Sequence, residues 1–190
     1  MRRGLKGVEL VTSDAHAGLK EAISKVLIGA SWQRCRVHFT RNVLAHVPKE
    51  GKARVVAAIR TIFTQPDQEA ARLQLQELAR LMEEKWPKAP AVLAGGEEDV
   101  PTYMSFPREH WTRIYSTNPL ERANREVKQR TNVVGIFPNA ASALRLVGSV
   151  LIEVHDEWQV GRLGDHKGEC KHAVFLTCSL EGTNQCTPRL

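Results

Sequence analysis

The chain has 190 residues, 42% hydrophobic and 25% charged, an ordinary globular composition that excludes a disordered, collagen-like or disulfide-scaffold chain. No apolar run approaches the roughly 18 residues of a membrane-spanning helix, and Met1-Arg2-Arg3-Gly4-Leu5-Lys6 leads into no apolar signal segment, so a cytoplasmic protein with no membrane partner is expected. The balance of 27 basic against 21 acidic residues leaves a net charge of +6, which suits a polyanionic partner such as nucleic acid without requiring one.

In chain order, residues 8–13 read as a short strand ending at Asp14. Leu19, Ala22, Ile23, Val26 and Leu27 then recur at steps of three and four, a helical face stopped by Gly29. Residues 32–39 read as a second strand, so the first 40 residues predict a βαβ unit with parallel strands. From about residue 40 to 110 the chain reads as helical. Val43, Leu44 and Val47 begin one segment, and Val55, Val56, Ile59, Ile62 and Phe63 mark another, closed by Pro66. Asp67 is placed to cap a third, in which Ala71, Leu75, Leu78 and Met82 share a face, with Pro87 and Pro90 beyond it. Gly95-Gly96-Glu97-Glu98-Asp99 reads as an exposed loop.

Residues 117–130 predict a polar, basic helix, and Asn139 is placed to cap a long final one. Leu144, Val147, Leu151, Val154 and Trp158 make that helix amphipathic, so this face must pack on something. After Arg162 no period persists, and a structureless tail is expected over 163–190. Two strands do not complete a parallel sheet with both faces covered, so the chain is either mostly helical or part of a larger domain.

Three constellations could carry chemistry. Ser13-Asp14-Ala15-His16 puts a carboxylate at the carboxyl end of a strand, where open α/β sheets hold ligands, although for this motif alone a cap on the next helix is the plainer expectation for Asp14. Cys35-Arg36-Val37-His38 offers a thiol and an imidazole three residues apart. On a strand such residues point to opposite faces, and no C-x-x-C pair supplies further ligands, so a buried thiol beside a polar histidine is the plainer expectation. In Ser116-Thr117-Asn118-Pro119-Leu120-Glu121-Arg122-Ala123-Asn124-Arg125-Glu126-Val127-Lys128-Gln129-Arg130, Asn118, Pro119 and Glu121 fit a capped helix start. The same helix gathers Glu121, Asn124 and Lys128 on one face with Arg125 beside them, and Leu120, Ala123 and Val127 on another, which would equally suit a divalent metal beside a phosphate.

Taken together with Gly135-Ile136-Phe137-Pro138-Asn139, these strings resemble the mutator-type transposases of bacterial insertion sequences, in family order, from about residue 4 to 162. The resemblance implies a transposase of the DDE class, catalysing DNA strand cleavage and strand transfer. Its implied fold class is α/β, a partial ribonuclease H-like (retroviral integrase-like) core with a large all-helical insertion, mostly helical in this fragment. The implied division is 1–40 for the second part of that core, 41–110 for the insertion, 111–162 for the core helices with the catalytic glutamate, and 163–190 for a non-family tail. Asp14 and Glu121 match the second catalytic aspartate and the catalytic glutamate, and both would bind Mg²⁺ or Mn²⁺. Arg122, Asn124, Arg125, Lys128 and Arg130 would hold DNA, at transposon ends and target, within a homo-oligomer. Cys35 and His38 match a C-x-x-H motif of unassigned role.

The family pattern also requires an aspartate on an earlier strand, and none of the residues before Asp14 is an aspartate. The chain is therefore expected to be a truncated transposase, inactive by itself and marginally stable, with a tail such as a change of reading frame near Arg162 would produce. The rival expectation is a non-catalytic protein that binds DNA or interferes with a complete transposase.

Overall fold

β1, Val8–Ser13, is the central strand of a small parallel sheet whose order is β2-β1-β3. The computed structural model describes residues 7–163 and 174–178, and the side chains of residues 7–157. From Leu10 onward every residue of β1 is buried, as a strand covered on both faces requires. β2, Ser31–Arg34, runs beside it in a register that sets Ser13 against Arg34. β3, Val174–Cys178, lies on the other side with Thr177 opposite Thr12. This strand falls within the stretch predicted to be structureless; the rest of that stretch beyond residue 163 lies outside the described residues.

α1, Ala17–Val26, joins β1 to β2, and Gly29 in the turn after it has φ +90°, a left-handed conformation that glycine adopts without strain. Of the apolar face predicted for α1 only Ile23 is buried, and Val26 is 61% exposed. The largest departure from the sequence reading comes next. The predicted strand over 32–39 stops at Arg34, and α2, Arg36–Leu44, begins with Cys35 as its N-cap residue. Val37 and Phe39 alternate as strand residues do, but Phe39 and Val43 are the fully buried pair, and a spacing of four belongs to a helix face. Two hydrogen bonds mark the boundary: the Cys35 N–H donates to the Ser13 carbonyl at 2.8 Å, and the Arg36 N–H donates to the Tyr115 carbonyl at 3.1 Å.

The helical block that follows carries most of the buried side chains. α3, Lys49–Phe63, buries Val55, Ile59 and Ile62; α4, Gln68–Met82, buries Ala71, Leu75, Leu78 and Met82, the stripe expected from spacing. Asp67 caps α4 by accepting from the Ala70 N–H at 2.9 Å. α5, Ala89–Ala94, leads into the glycine pair. Gly96 is not exposed as predicted: it is buried, and a Cβ there would collide with the Phe39 ring, so the missing side chain lets the two approach. Gln33, fully buried on β2, ties this region to the sheet. Its amide donates to the Val100 carbonyl at 2.7 Å, and its oxygen accepts from the Tyr103 N–H at 2.8 Å. Short 3₁₀ turns at Thr102–Ser105 and Arg108–His110 lead to α6, Trp111–Ile114.

The chain divides into two compact units, residues 1–117 with 173–190, and residues 118–172. The second holds α7, Asn118–Val134, and α8, Ala140–Leu163. Asn139 caps α8 as its position suggests, its side-chain oxygen accepting from the Ser142 N–H at 2.9 Å. The predicted packing face of α8 is shifted. Val150 and Val154 are buried and Val147 half-buried, whereas Leu144 is 71% and Leu151 49% exposed. At about 100° per residue the buried stripe centres on Val150 and Val154, which puts Leu144 and Leu151 at its margin. The Trp158 side chain lies outside the described residues.

Candidate functional site

Asp14 follows the last residue of β1, at the carboxyl end of a parallel strand. The N-cap residue of α1, His16, lies two positions further on. One carboxylate oxygen, Oδ1, lies 2.6 Å from Nδ1 of His38. His38 is in the first turn of α2, and that placement overturns the expectation that Cys35 and His38 face apart. Once the strand ends at Arg34, an N-cap residue and one three positions later share a side of the helix. Cys35 Sγ lies 3.3 Å from the same Nδ1. The donor atoms of Asp14, Cys35 and His38 all lie within 4.8 Å of one another.

Burial grades across this cluster. Cys35 is fully buried, and the His38 and Asp14 side chains are 15% and 22% exposed, so it opens on the Asp14 side. Thr117, also fully buried, supports the thiol from behind: its N–H donates to Cys35 Sγ at 3.4 Å, and its hydroxyl lies 3.4 Å from the same sulfur. On the outer side Arg41 Nη1 lies 3.3 Å from His38 Nε2. Below, the Trp32 indole N–H donates to the Ser13 hydroxyl at 2.8 Å, and the Thr12 hydroxyl donates to the Ile114 carbonyl at 2.5 Å, so the end of β1 is held by one part-buried and one buried polar contact. Beside the site, burial pushes the Arg34 guanidinium below its ordinary value while Asp99 pulls it the other way.

Thr117 and the Arg36–Tyr115 stack are what sequence reasoning missed. The Arg36 guanidinium sits 3.5 Å from the Tyr115 ring centroid and 4.8 Å from that of Phe63, a cation–π contact that anchors the first turn of α2. The sequence contained one signal for Thr117, its place beside Asn118 in the Ser116-Thr117-Asn118 string; the partner sulfur lies 82 positions away, and only the fold brings them together.

The second unit carries the other candidate residues. Glu121 is half-buried in the first turn of α7. The two predicted faces of this helix separate in part: Ala123 is buried and Leu120 and Val127 half-buried, while Asn124, Arg125 and Lys128 are exposed, but Glu121, on the predicted polar face, is half-buried like Leu120 and Val127. Arg122 and Arg130 are engaged with acids. Arg122 binds Glu126 at 3.0 Å and Glu157 at 3.1 Å, contacts that raise its pKa, and Arg130 binds Glu153 at 3.3 Å. Both lie on the surface, where such pairs are weak and exchangeable. No helix among the described residues is long and apolar enough to cross a membrane.

Comparison with known proteins adds an independent finding. The family described as Transposase, Mutator family, matches residues 1–161. The chain is 48% identical over 160 residues to the transposase for insertion sequence element IS1081 of Mycobacterium tuberculosis, covering 84% of this chain and 39% of that protein. It is 44% identical over 158 residues to the transposase for IS256 in transposon Tn4001 of Staphylococcus aureus, 82% of this chain and 40% of the relative. A third relative, the transposase for ISRM5 of Rhizobium meliloti, is 42% identical over 156 residues, 82% and 39% of the two chains. The chain thus spans about two-fifths of the length of these curated relatives.

Proposed function

The chain belongs to the Mutator family of transposases, and from that membership we propose that its 190 residues are the part of a DDE-type transposase that supplies two of the acids for phosphoryl transfer on DNA. The observation that carries this reading is the position of Asp14, a partly exposed carboxylate at the carboxyl end of the central parallel strand. The short parallel sheet, flanked by helices and interrupted by a helical block after β2, is compatible with a partial ribonuclease H-like core. Glu121 is the second acid, in the first turn of α7.

Carboxylate oxygens are the donors that Mg²⁺ and Mn²⁺ take, so Asp14 and Glu121 fit such ions. When bound, two such ions activate a water or a 3′-hydroxyl and stabilise the leaving oxygen of an in-line displacement. The chain's own residues do the rest. The His38 imidazole, 2.6 Å from Oδ1, restrains the Asp14 carboxylate. Arg125 and Lys128, exposed on α7, meet the DNA backbone, and Asn124 joins them on that surface. Arg122 and Arg130 reach phosphate by exchanging their carboxylate partners for it.

No aspartate precedes Asp14 in these 190 residues, so the segment as given holds two of the three DDE acids. It is expected to bind transposon-end DNA in a salt-dependent way and not to cleave it. Two assays test the reading. In a transposase of the relatives' full length that carries this segment, Asp14→Ala and Glu121→Ala each abolish Mg²⁺-dependent cleavage while DNA retention persists. Cleavage that survives either substitution overturns the catalytic assignment. If only salt-dependent DNA binding is found, and it is unaffected by either alanine, a non-catalytic DNA-binding role replaces it.

A further inference from the structure

Beside the Asp14 carboxylate stand a thiol and an imidazole, softer donors than the oxygens that suit Mg²⁺. Mg²⁺ takes oxygen; a thiol and an imidazole beside a carboxylate are the set that zinc-class cations take. We propose that Asp14, Cys35 and His38 form a binding site for a zinc-class divalent cation, with Thr117 supporting the sulfur.

Convergence on one point carries the argument. Nδ1 of His38 faces both Asp14 Oδ1, at 2.6 Å, and Cys35 Sγ, at 3.3 Å. One imidazole nitrogen has a single proton or a single lone pair, so as a hydrogen-bond donor it serves one of these neighbours well. As a ligand beside them it shares a cation with both. Tetrahedral zinc, with bonds of about 2.0–2.3 Å, sets neighbouring donor atoms roughly 3.3–3.6 Å apart. The sulfur, with its longer bond, takes the upper end of that range, so the 3.3 Å nitrogen–sulfur separation has to open by a few tenths of an ångström, and the carboxylate has to move outward, towards the side on which it is exposed.

The surroundings suit a thiolate. Cys35 is fully buried, and the Thr117 N–H donates to its sulfur at 3.4 Å, a contact that supports negative charge there. Three protein ligands leave a fourth position, which opens on the Asp14 side for water. Binding releases the thiol proton to solvent and moves the imidazole proton to Nε2, where the exposed Arg41 guanidinium now 3.3 Å away must turn aside. The cation would tie the end of β1 to the first turn of α2. The site stands on its own donor set and does not depend on the catalytic role proposed for Asp14.

Cobalt(II) tests it, because thiolate ligation gives an intense near-ultraviolet charge-transfer band. The parent for the test is the full chain with Cys170, Cys178 and Cys186 replaced by serine, so that Cys35 is the only thiol, and with folding checked by circular dichroism. Added Co²⁺ should produce the band, an equimolar amount of Zn²⁺ should remove it, and excess Mg²⁺ should leave it unchanged. Cys35→Ser should abolish it. His38→Gln and Asp14→Asn, at partly exposed positions that keep the test valid should the buried serine unfold the chain, should each weaken Co²⁺ binding about tenfold or more. A folded parent with no band, or a band of unchanged affinity in both partly exposed variants, overturns the site. Either result leaves the cleavage assay on Asp14 and Glu121 standing as a separate question.

Discussion

The helical block of the first unit and the α7–α8 pair of the second were read from the same kind of periodicity, and they differ in what that periodicity buries. In the first, Val55, Ile59 and Ile62 on α3 and Ala71, Leu75, Leu78 and Met82 on α4 are all buried, joined by Phe39, Val43 and Leu93 in one core cluster. In the second, the buried apolar residues among those described are Ala123, Val150 and Val154, while Val133, Ile136, Leu144 and Ile152 are 88%, 89%, 71% and 63% exposed. Apolar residues at steps of three and four specify a helix in both places. They specify a core only where several such helices supply complementary faces, as α2, α3, α4 and α5 do.

The largest expected effect sharpens that contrast. Leu75→Ala, at a fully buried position, should lower unfolding free energy by about 2–5 kcal/mol, whereas Leu144→Ala, on the exposed margin of α8, should change it by no more than about 0.5 kcal/mol. Urea unfolding of both variants checks this, and equal losses would erase the distinction between the regions. Gly96→Ala comes next. Its Cβ would press on the buried Phe39 ring, so a loss of about 1–3 kcal/mol is expected, recovered in part by adding Phe39→Leu. If the alanine alone melts with the parent, the close approach of the segment after α5 to α2 is not a constraint.

Tyr103 supplies a pH test within the same core. Burial raises its phenol above the ordinary value of 10.0, and Arg36 opposes the shift to a lesser degree. In the unfolded chain the phenol ionises near its ordinary value while the folded chain still holds the proton. The unfolded state then binds fewer protons, so stability falls as pH rises above about 10 and is unaffected below it. Melting curves from pH 8 to 11 should show a shallower alkaline decline in Tyr103→Phe than in the parent; parallel declines would remove the tyrosine from the account. The smallest effect belongs to the surface of the second unit. Glu153→Gln, which breaks the 3.3 Å pair with Arg130, should cost under about 1 kcal/mol and nothing in high salt. It should also tighten DNA binding by releasing a cation, an increase measurable by fluorescence anisotropy.

Much of this fold was legible residue by residue. β1 over 8–13, the α4 stripe, the caps Asp67 and Asn139, and the exposure of Asn124, Arg125 and Lys128 on α7 all follow from local rules, because a cap or a stripe is satisfied by atoms a few positions away. The end of β2 was not legible. Val37 and Phe39 alternate like strand residues, and what turns the chain into α2 is long-range: the Cys35 N–H is taken by Ser13 and the Arg36 N–H by Tyr115. Gly95-Gly96 carried loop composition, yet Gly96 is buried because a distant aromatic ring needs its space. The candidate site divides in the same way. The residue types of Asp14, Glu121, Cys35 and His38 and their motif spacing were visible, whereas the conclusion that Cys35 and His38 face apart depended on a strand that ends too early for it to hold.

By itself, then, the sequence determined the family, the helical periodicity and which residues could carry chemistry, since these reside in residue type and short spacing. Only the tertiary structure decided that β1 is central, that α2 begins at Cys35, and that Asp14, Cys35, His38 and Thr117 meet. The reason is physical. Those contacts join distant positions, 82 residues apart for Cys35 and Thr117 and farther still for the pairing of β1 with β3, and no local preference can set a sulfur beside a hydroxyl until the burial of Leu10, Phe39 and Ile114 has closed the chain around them.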